Sequence, residues 1–320
     1  MSGGIIGRRT ALRAIAVAAG LPLLGASGDR GRPPVLRWRG LAFGGPAALT
    51  LCHPDAARAR RVLALCLAEV DRLDRLFSLL RKDSALVALN REGRLEAPAH
   101  DVVALMAAAR RFAELSDGAF DPTVQPLWRL YARHFSRPGA DPAGPPAAAV
   151  AAARAQVGYQ RIEIGRAAVR LARPGMAVTL NGIAQGWITD RIAAILRDAG
   201  FARALVEMGE IRALGGGPTG AWRIGAAGTE IALRDGAVAT SAPRGTVLEP
   251  SGRFHHLLDP ASGRPTRGVR EVSAVAATAS TADALATALA VAPDRAPALV
   301  ARFKARQAIL VRDDGTVRRV

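Results

Sequence analysis

Val272-Ser273-Ala274-Val275-Ala276-Ala277, followed by Thr281-Ala282-Asp283-Ala284-Leu285-Ala286-Thr287, decides the fold class. The first segment is a short apolar run suited to a strand, and the second opens a helix that continues to about Ala290. Upstream, strands are predicted at Ala204 to Met208, at Trp222 to Ala226, and from Ile231 to Thr240 around the Asp235-Gly236 turn. A helix from about Trp187 to Ala199 precedes them and is closed by Gly200. Nearer the start, Leu41 to Leu51 reads as a strand. Asp55 then opens a helix whose apolar face carries Val62, Cys66, Val70, Leu73, Phe77 and Leu80. Asp101 is expected to cap a further helix through Phe112 that Gly118 ends, and Pro138 to Ala153 reads as a surface excursion. Helices and strands mix without a regular βαβ rhythm. The fold class is therefore α+β, with mixed sheets and packed helices.

The chain has 320 residues, enough for a substantial core, and half of them are hydrophobic while only 4% are aromatic. That composition excludes a disordered chain. The formal charge is +17, and all but two of the 44 basic residues are arginine. They are scattered in ones and twos with no aromatic interleaving, which argues against a nucleic-acid partner. Cys52 and Cys66 cannot build a disulfide framework or a zinc cluster, and both are expected to stay free.

The first residues read as a targeting segment. Arg8-Arg9 precede a mildly apolar run from Ala14 to Leu24 and small residues at Gly25-Ala26-Ser27. The run is too short to span a bilayer, and the pattern is that of a twin-arginine export signal over residues 1–28. Residues 29–320 are then one exported domain, expected in the periplasm with no stable membrane anchor.

Four segments carry more Gly, Asp, Thr and His than packing requires. Ser116-Asp117-Gly118-Ala119-Phe120-Asp121-Pro122-Thr123 serves either as a plain helix stop or as part of a site. Thr179-Leu180-Asn181-Gly182-Ile183-Ala184-Gln185-Gly186 brings small residues to a helix N-terminus, where amides can face a phosphate. It has neither the GxGxxG nor the P-loop pattern. His255-His256-Leu257-Leu258-Asp259-Pro260-Ala261-Ser262-Gly263 pairs His with Asp at a spacing that fits no standard zinc set. Asp283 and Thr287, four apart, put a carboxylate and a hydroxyl on one helical face. Such hard oxygens suit Mg²⁺ beside phosphates; the structural alternative is an acid favoured by the helix dipole.

Taken in order, these segments resemble the ApbE family of FAD:protein FMN transferases over essentially all of residues 35–315. Phe77-Ser78, Asp83-Ser84 and Leu89-Asn90 match its early motif. Asp117 to Val124, Asn181 to Gly186, His255 to Gly263 and Ala282 to Thr287 match the later ones. The resemblance implies an ApbE-like fold and transfer of FMN from FAD to a threonine of an acceptor protein. AMP leaves and Mg²⁺ clamps the pyrophosphate. By the same resemblance, Asp283, Thr287 and the carbonyl of Gly182 hold Mg²⁺. Phe43, Ser78, Leu79, Leu80, Asp121 and Gln185 line the FAD site, and His256, whose solution pKa lies near 6.5, assists proton transfer from the acceptor threonine. The partners implied are FAD and a respiratory flavoprotein carrying a threonine flavinylation motif; the subgroup serving nitrous oxide reductase maturation is one destination.

The chain departs from the family pattern around the flavin. Gln185 replaces a common Lys, Phe43-Gly44-Gly45 replaces Met-Gly-Thr, Leu80 replaces an aromatic residue, and Glu210 replaces an Asp. Two alternatives use the same residues. One is a pyrophosphatase that splits FAD into FMN and AMP, and the other is a non-catalytic flavin-binding accessory protein.

Overall fold

The computed structural model describes residues 34–320, so the stretch expected to be an export signal, residues 1–28, lies outside the described residues. In chain order the elements are β1 (Val35–Ala42), β2 (Gly45–Cys52), α1 (Ala56–Phe77), α2 (Ala85–Glu92), β3 (Arg94–Glu96), α3 (His100–Leu115), α4 (Gln125–Phe135) and α5 (Ala147–Arg154). There follow β4 (Ile162–Ile164), β5 (Ala168–Leu171), α6 (Ala184–Asp198), β6 (Arg203–Glu207), β7 (Ile211–Leu214), β8 (Trp222–Ala226) and β9 (Thr229–Leu233). The chain closes with β10 (Gly236–Ser241), β11 (Val269–Ala276), α7 (Ala279–Val291), α8 (Ala296–Arg302), β12 (Gln307–Arg312) and β13 (Val317–Arg319).

An eight-stranded sheet in the order β1-β2-β6-β7-β10-β11-β12-β13 is the frame, and each of its neighbouring pairs is antiparallel. The α+β expectation holds. Alternation along the strands assigns the two faces. Ala204 and Val206, Ala237 and Ala239, and Val272 and Ala274 turn toward the helical core. Leu205, Val238 and Val275 turn to the opposite face, where Ile224, Ile231 and Leu233 of the β8–β9 hairpin cover them.

Helix α7 lies on the helical face over β10 and β11, with α6 beside it. Ala282, Ala284, Leu285, Ala286, Ala288, Leu289 and Ala290 are fully buried. A helix apolar on nearly every side belongs in the centre of a layer. Burying Leu285 and Leu289 contributes roughly 1.5–3 kcal/mol each. The small alanines let the sheet and α6 approach closely. Gly186 of α6 makes the same allowance, because a Cβ there would sit 2.5 Å from the carbonyl oxygen of Ala279.

Several boundaries differ from the expectations. Leu41 to Leu51 is a hairpin of two strands, turned at Phe43 and Gly44 with φ of 51° and 73°. Asp55 caps α1 as expected, accepting from the Arg58 N–H at 2.9 Å, but α1 stops at Phe77. The backbone is extended at Ser78, and Leu80 is left 66% exposed. Asp101 does not cap α3; it lies in the first turn and pairs with Arg72 at 2.6 Å. Pro138 to Ala153 contains most of α5. Asp235-Gly236 does not join paired strands: β9 pairs with β8, and β10 with β7 and β11. The tight turn is instead Ala227-Gly228, left-handed at both residues (φ 51° and 67°), while the Asp235 side chain accepts from the Gly215 N–H at 2.9 Å. Helix α8 and the terminal strands β12 and β13 had no counterpart in the sequence reading. Cys52 and Cys66 are free and buried, and burial pushes the Cys66 thiol up to about 12.

Candidate functional site

Asp283 sits in the second turn of α7, past the Thr278 cap, so it is not the dipole-favoured acid of a first turn. It is buried in an otherwise apolar stretch, where an unpaired carboxylate is costly. Its Oδ2 accepts a hydrogen bond from the Gly186 N–H at 3.0 Å, and its Oδ1 has no such donor among the described residues. Burial pushes its carboxyl up to about 7; the Gly186 N–H opposes that shift and the charge of Asp190 adds to it. Glu210 is also buried, and burial together with Asp283 raises its carboxyl well above the usual range, against the Thr240 N–H. The charge of Asp283 opposes ionisation of Glu210, so a nearby cation would favour the charged forms of both.

One turn along α7, Thr287 faces the loop before α6. A Cβ on Gly182 would lie 2.8 Å from Thr287 Oγ1 and 3.2 Å from a ring carbon of Phe120, so only glycine brings that backbone so close. Ser241 Oγ, at the end of β10, is 3.5 Å from Thr287 Oγ1. The structure thus sets Gly182 against Thr287 and Gly186 against Asp283, at one contact between the start of α6 and α7. The Gly186 amide, however, faces Asp283 and not an open phosphate position.

The loop carrying Gly182 is held from two sides. Asn90 of α2 clamps Val178: its Nδ2 donates to the Val178 carbonyl at 2.7 Å, and the Val178 N–H donates to its Oδ1 at 2.6 Å. Thr179 N–H donates to the Pro122 carbonyl at 2.8 Å. Asp121 fixes that second support. Its Oδ1 accepts from Thr123 N–H at 2.8 Å and Thr123 Oγ1 at 2.6 Å, and its Oδ2 accepts from Tyr159 N–H at 3.1 Å. Burial raises its carboxyl, with the Thr123 donors opposing. Asp121 therefore braces the loop that carries Gly182. Asp117 is bound outward, to Arg302 at 2.5 Å and to Arg295.

A second group converges beside the first. The Gln185 amide fills the space that a side chain on Gly209 would take, and lies 3.9 Å from the position of a Cβ on Gly45. Leu80 reaches to 3.1 Å from the corresponding position on Gly44. Phe43, at the hairpin turn, and Leu79 pack half-buried against the core. Ser78 is buried, and its hydroxyl accepts from the Leu80 N–H at 3.2 Å, bending the chain so that Leu80 projects outward. Gln185, Phe43 and the Ser78–Leu80 strip thus share one rim.

His256 lies on the long connection between β10 and β11, half-buried against the Gly245–Thr246 turn. Its Nδ1 is 3.2 Å from the Thr246 carbonyl, which places the proton on Nδ1 in the neutral ring and makes Nε2 the basic nitrogen. His255 is buried with Nε2 3.1 Å from the Thr266 carbonyl, and burial lowers its pKa. Asp259 closes the turn, accepting from the N–H groups of Ala261 at 2.9 Å and Ser262 at 3.2 Å. Among the described residues no group of three or more His, Cys, Asp or Glu forms a metal set.

Neither composition nor motif singles out Asp190 or Ser241 as members of this neighbourhood. Asp190 carried a signal: it follows Gly186 by four positions, so the two share a face of α6.

The model of the ApbE family matches residues 44–310. The chain is 32% identical over 293 residues to the FAD:protein FMN transferase of Treponema pallidum, covering 82% of this chain and 80% of that protein. It is 29% identical over 266 residues to the FAD:protein FMN transferase of Klebsiella pneumoniae, covering 77% and 75%. The crystal structure of the ApbE protein from Thermotoga maritima superposes with a TM-score of 0.78 at 29% identity, over 89% of this chain and 96% of that one. The apo form of the Pseudomonas stutzeri flavinyl transferase ApbE superposes with the same TM-score at 27% identity, over 91% and 97%.

Proposed function

Since the chain belongs to the ApbE family, we propose that it is an FAD:protein FMN transferase that moves FMN from FAD onto a threonine hydroxyl of an acceptor protein, with Mg²⁺ bound and AMP released. The observation that carries the reading is the convergence of Asp283, Thr287 and the Gly182 backbone at the α6–α7 contact.

The residues fit Mg²⁺. They offer hard oxygen donors with one carboxylate, and Mg²⁺ commonly binds through one or two carboxylates plus substrate phosphates. Burial disfavours the charged forms of Asp283 and Glu210, and a bound cation would offset that cost. Asp283, Thr287 and the Gly182 carbonyl would hold the ion. When bound, it supplies charge neutralisation at the pyrophosphate.

The remaining work falls to the chain's own residues. Gln185, Phe43 and the Ser78–Leu80 strip line the flavin side, and the loop braced by Asn90 and Asp121 fixes the floor. His256 Nε2 takes the proton of the acceptor hydroxyl. That oxygen bonds to the FMN phosphorus while the bond to the AMP phosphate oxygen breaks. We assign the site of action to the periplasm, after twin-arginine export, with respiratory flavoproteins as acceptors. Nitrous oxide reductase maturation is the narrower assignment.

Intact mass measurement of a small acceptor domain, incubated with FAD and Mg²⁺, tests the reading. The expected product is the acceptor carrying one FMN, absent when its threonine is replaced by valine. Free FMN and AMP with an unmodified acceptor would make the protein a pyrophosphatase. Bound FAD with no AMP would make it an accessory protein.

A further inference from the structure

Asp190 of α6 joins three elements. Its Oδ1 accepts from Arg212 Nη1 of β7 at 2.7 Å and from the Ala279 N–H at 2.8 Å. Its Oδ2 accepts from the Ser280 N–H at 2.9 Å and from Ser280 Oγ at 2.7 Å. Thr278 caps the next amide, that of Thr281. The first three amides of α7 are thereby held by side chains, two of them by a residue of the neighbouring helix. Four positions before Asp190, Gly186 N–H donates to Asp283 itself. Helix α6 therefore grips α7 at two points on one of its faces, first the helix start and then the carboxylate of the site.

We propose that Asp190 is a positioning residue for the metal-binding face of α7. A helix is stiff over the two turns from Ala279 to Thr287, so where it starts sets where the oxygens of Asp283 and Thr287 fall relative to Gly182. Asp190 fixes that start against α6, and Arg212 fixes Asp190 against the sheet. Asp190 acts on the ion through the helix it holds, as outer partners of metal ligands do. A purely structural cap would affect stability alone. The inference rests on the Mg²⁺ reading above.

Calorimetric titration of the full chain with MgCl₂, without FAD or acceptor, tests it. Asp190→Asn keeps the size of the side chain and removes the charge that the two amides and Arg212 share. The expected result is an affinity for Mg²⁺ weaker by roughly 10- to 100-fold than in the unmodified protein. Ser280→Ala removes one of the four donors and leaves the carboxylate in place; it is expected to shift affinity in the same direction by less, and it keeps the test open if Asp190→Asn does not fold. Both variants binding Mg²⁺ as the unmodified protein does, whatever their melting temperatures, would overturn the positioning role while leaving the Mg²⁺ reading standing. If the unmodified protein binds no Mg²⁺, the reading and the inference fall together.

Discussion

The backbone N–H of Gly186 points at Oδ2 of Asp283 across 3.0 Å, joining the first turn of α6 to the second turn of α7. The contact exists because position 186 has no side chain. In Gly186→Ala the new Cβ would meet the Ala279 carbonyl at 2.5 Å, a clash with backbone that cannot rotate away. We expect a stability loss of about 1–3 kcal/mol by urea denaturation, together with a higher Mg²⁺ requirement. Unchanged stability would mean that the two helices are not in contact at this position.

Gln185 gives a test of the flavin side. Its amide occupies the space that a side chain on Gly209 would take. Gln185→Lys should tighten FAD binding by about fivefold at low salt, an advantage that shrinks as salt screens the added charge. Calorimetry at two ionic strengths measures it. Equal or weaker binding at both would remove Gln185 from the FAD site.

The α1–α6 contact makes a prediction in pH. Glu69 of α1 accepts from Arg72 at 2.7 Å and from Arg191 of α6 at 2.8 Å, and these partners, Arg72 foremost, bring its carboxyl down to about 2. A carboxylate depressed in the folded state stabilises fully above its unfolded value, about 4.3, and loses that contribution as pH falls through the folded value. Glu69→Gln should therefore be less stable than the unmodified protein at pH 7, by about 1 kcal/mol because the arginines are half-exposed. The two melting curves should converge between about pH 4.3 and 2. A difference that stayed constant over that range would show that the pair contributes no charge-dependent stability.

The loop under the site gives a third structural test. Asn90 makes both hydrogen bonds of a backbone partner to Val178, so Asn90→Ala leaves a buried carbonyl and a buried amide without their side-chain partner. The expected cost is about 1–3 kcal/mol in urea denaturation. Turnover should also fall, because Gly182 is four residues further along the same loop. A stable variant with full activity would show that the loop holds its shape unaided.

Most of the helical face was legible because its periods are strong. Val62, Cys66, Val70, Leu73 and Phe77 form the buried stripe of α1 as their spacing predicts. Leu80 fits the same period but projects outward, since Ser78 turns the chain first; spacing alone does not register a hydroxyl accepting from the Leu80 amide. The Asp235-Gly236 pair has turn chemistry, yet its carboxylate binds Gly215, and the hairpin forms at Ala227-Gly228, where alanine gives little local signal of a left-handed backbone. In the site, the Asp283–Thr287 spacing showed one shared face. It did not show that Asp190, 93 positions earlier, holds the start of that helix, because pairing between α6 and α7 is set by tertiary packing. His255 and His256 are neighbours in sequence with opposite fates: one turns into the core against Thr266, the other stays half-exposed against Thr246.

Under the proposed function, Asp283 serves bound Mg²⁺ in moving FMN to a protein. The most direct measurement mixes the protein with FAD, Mg²⁺ and an acceptor domain carrying a threonine flavinylation motif, and reads flavin fluorescence on a denaturing gel with AMP assayed in parallel. A fluorescent acceptor band that disappears with a chelator, and that Asp283→Asn reduces by about 10³-fold while its melting temperature is kept or raised, is the predicted result; losing a buried charge need not destabilise the metal-free protein. A band of undiminished intensity in Asp283→Asn, or in the presence of chelator, would contradict the claim.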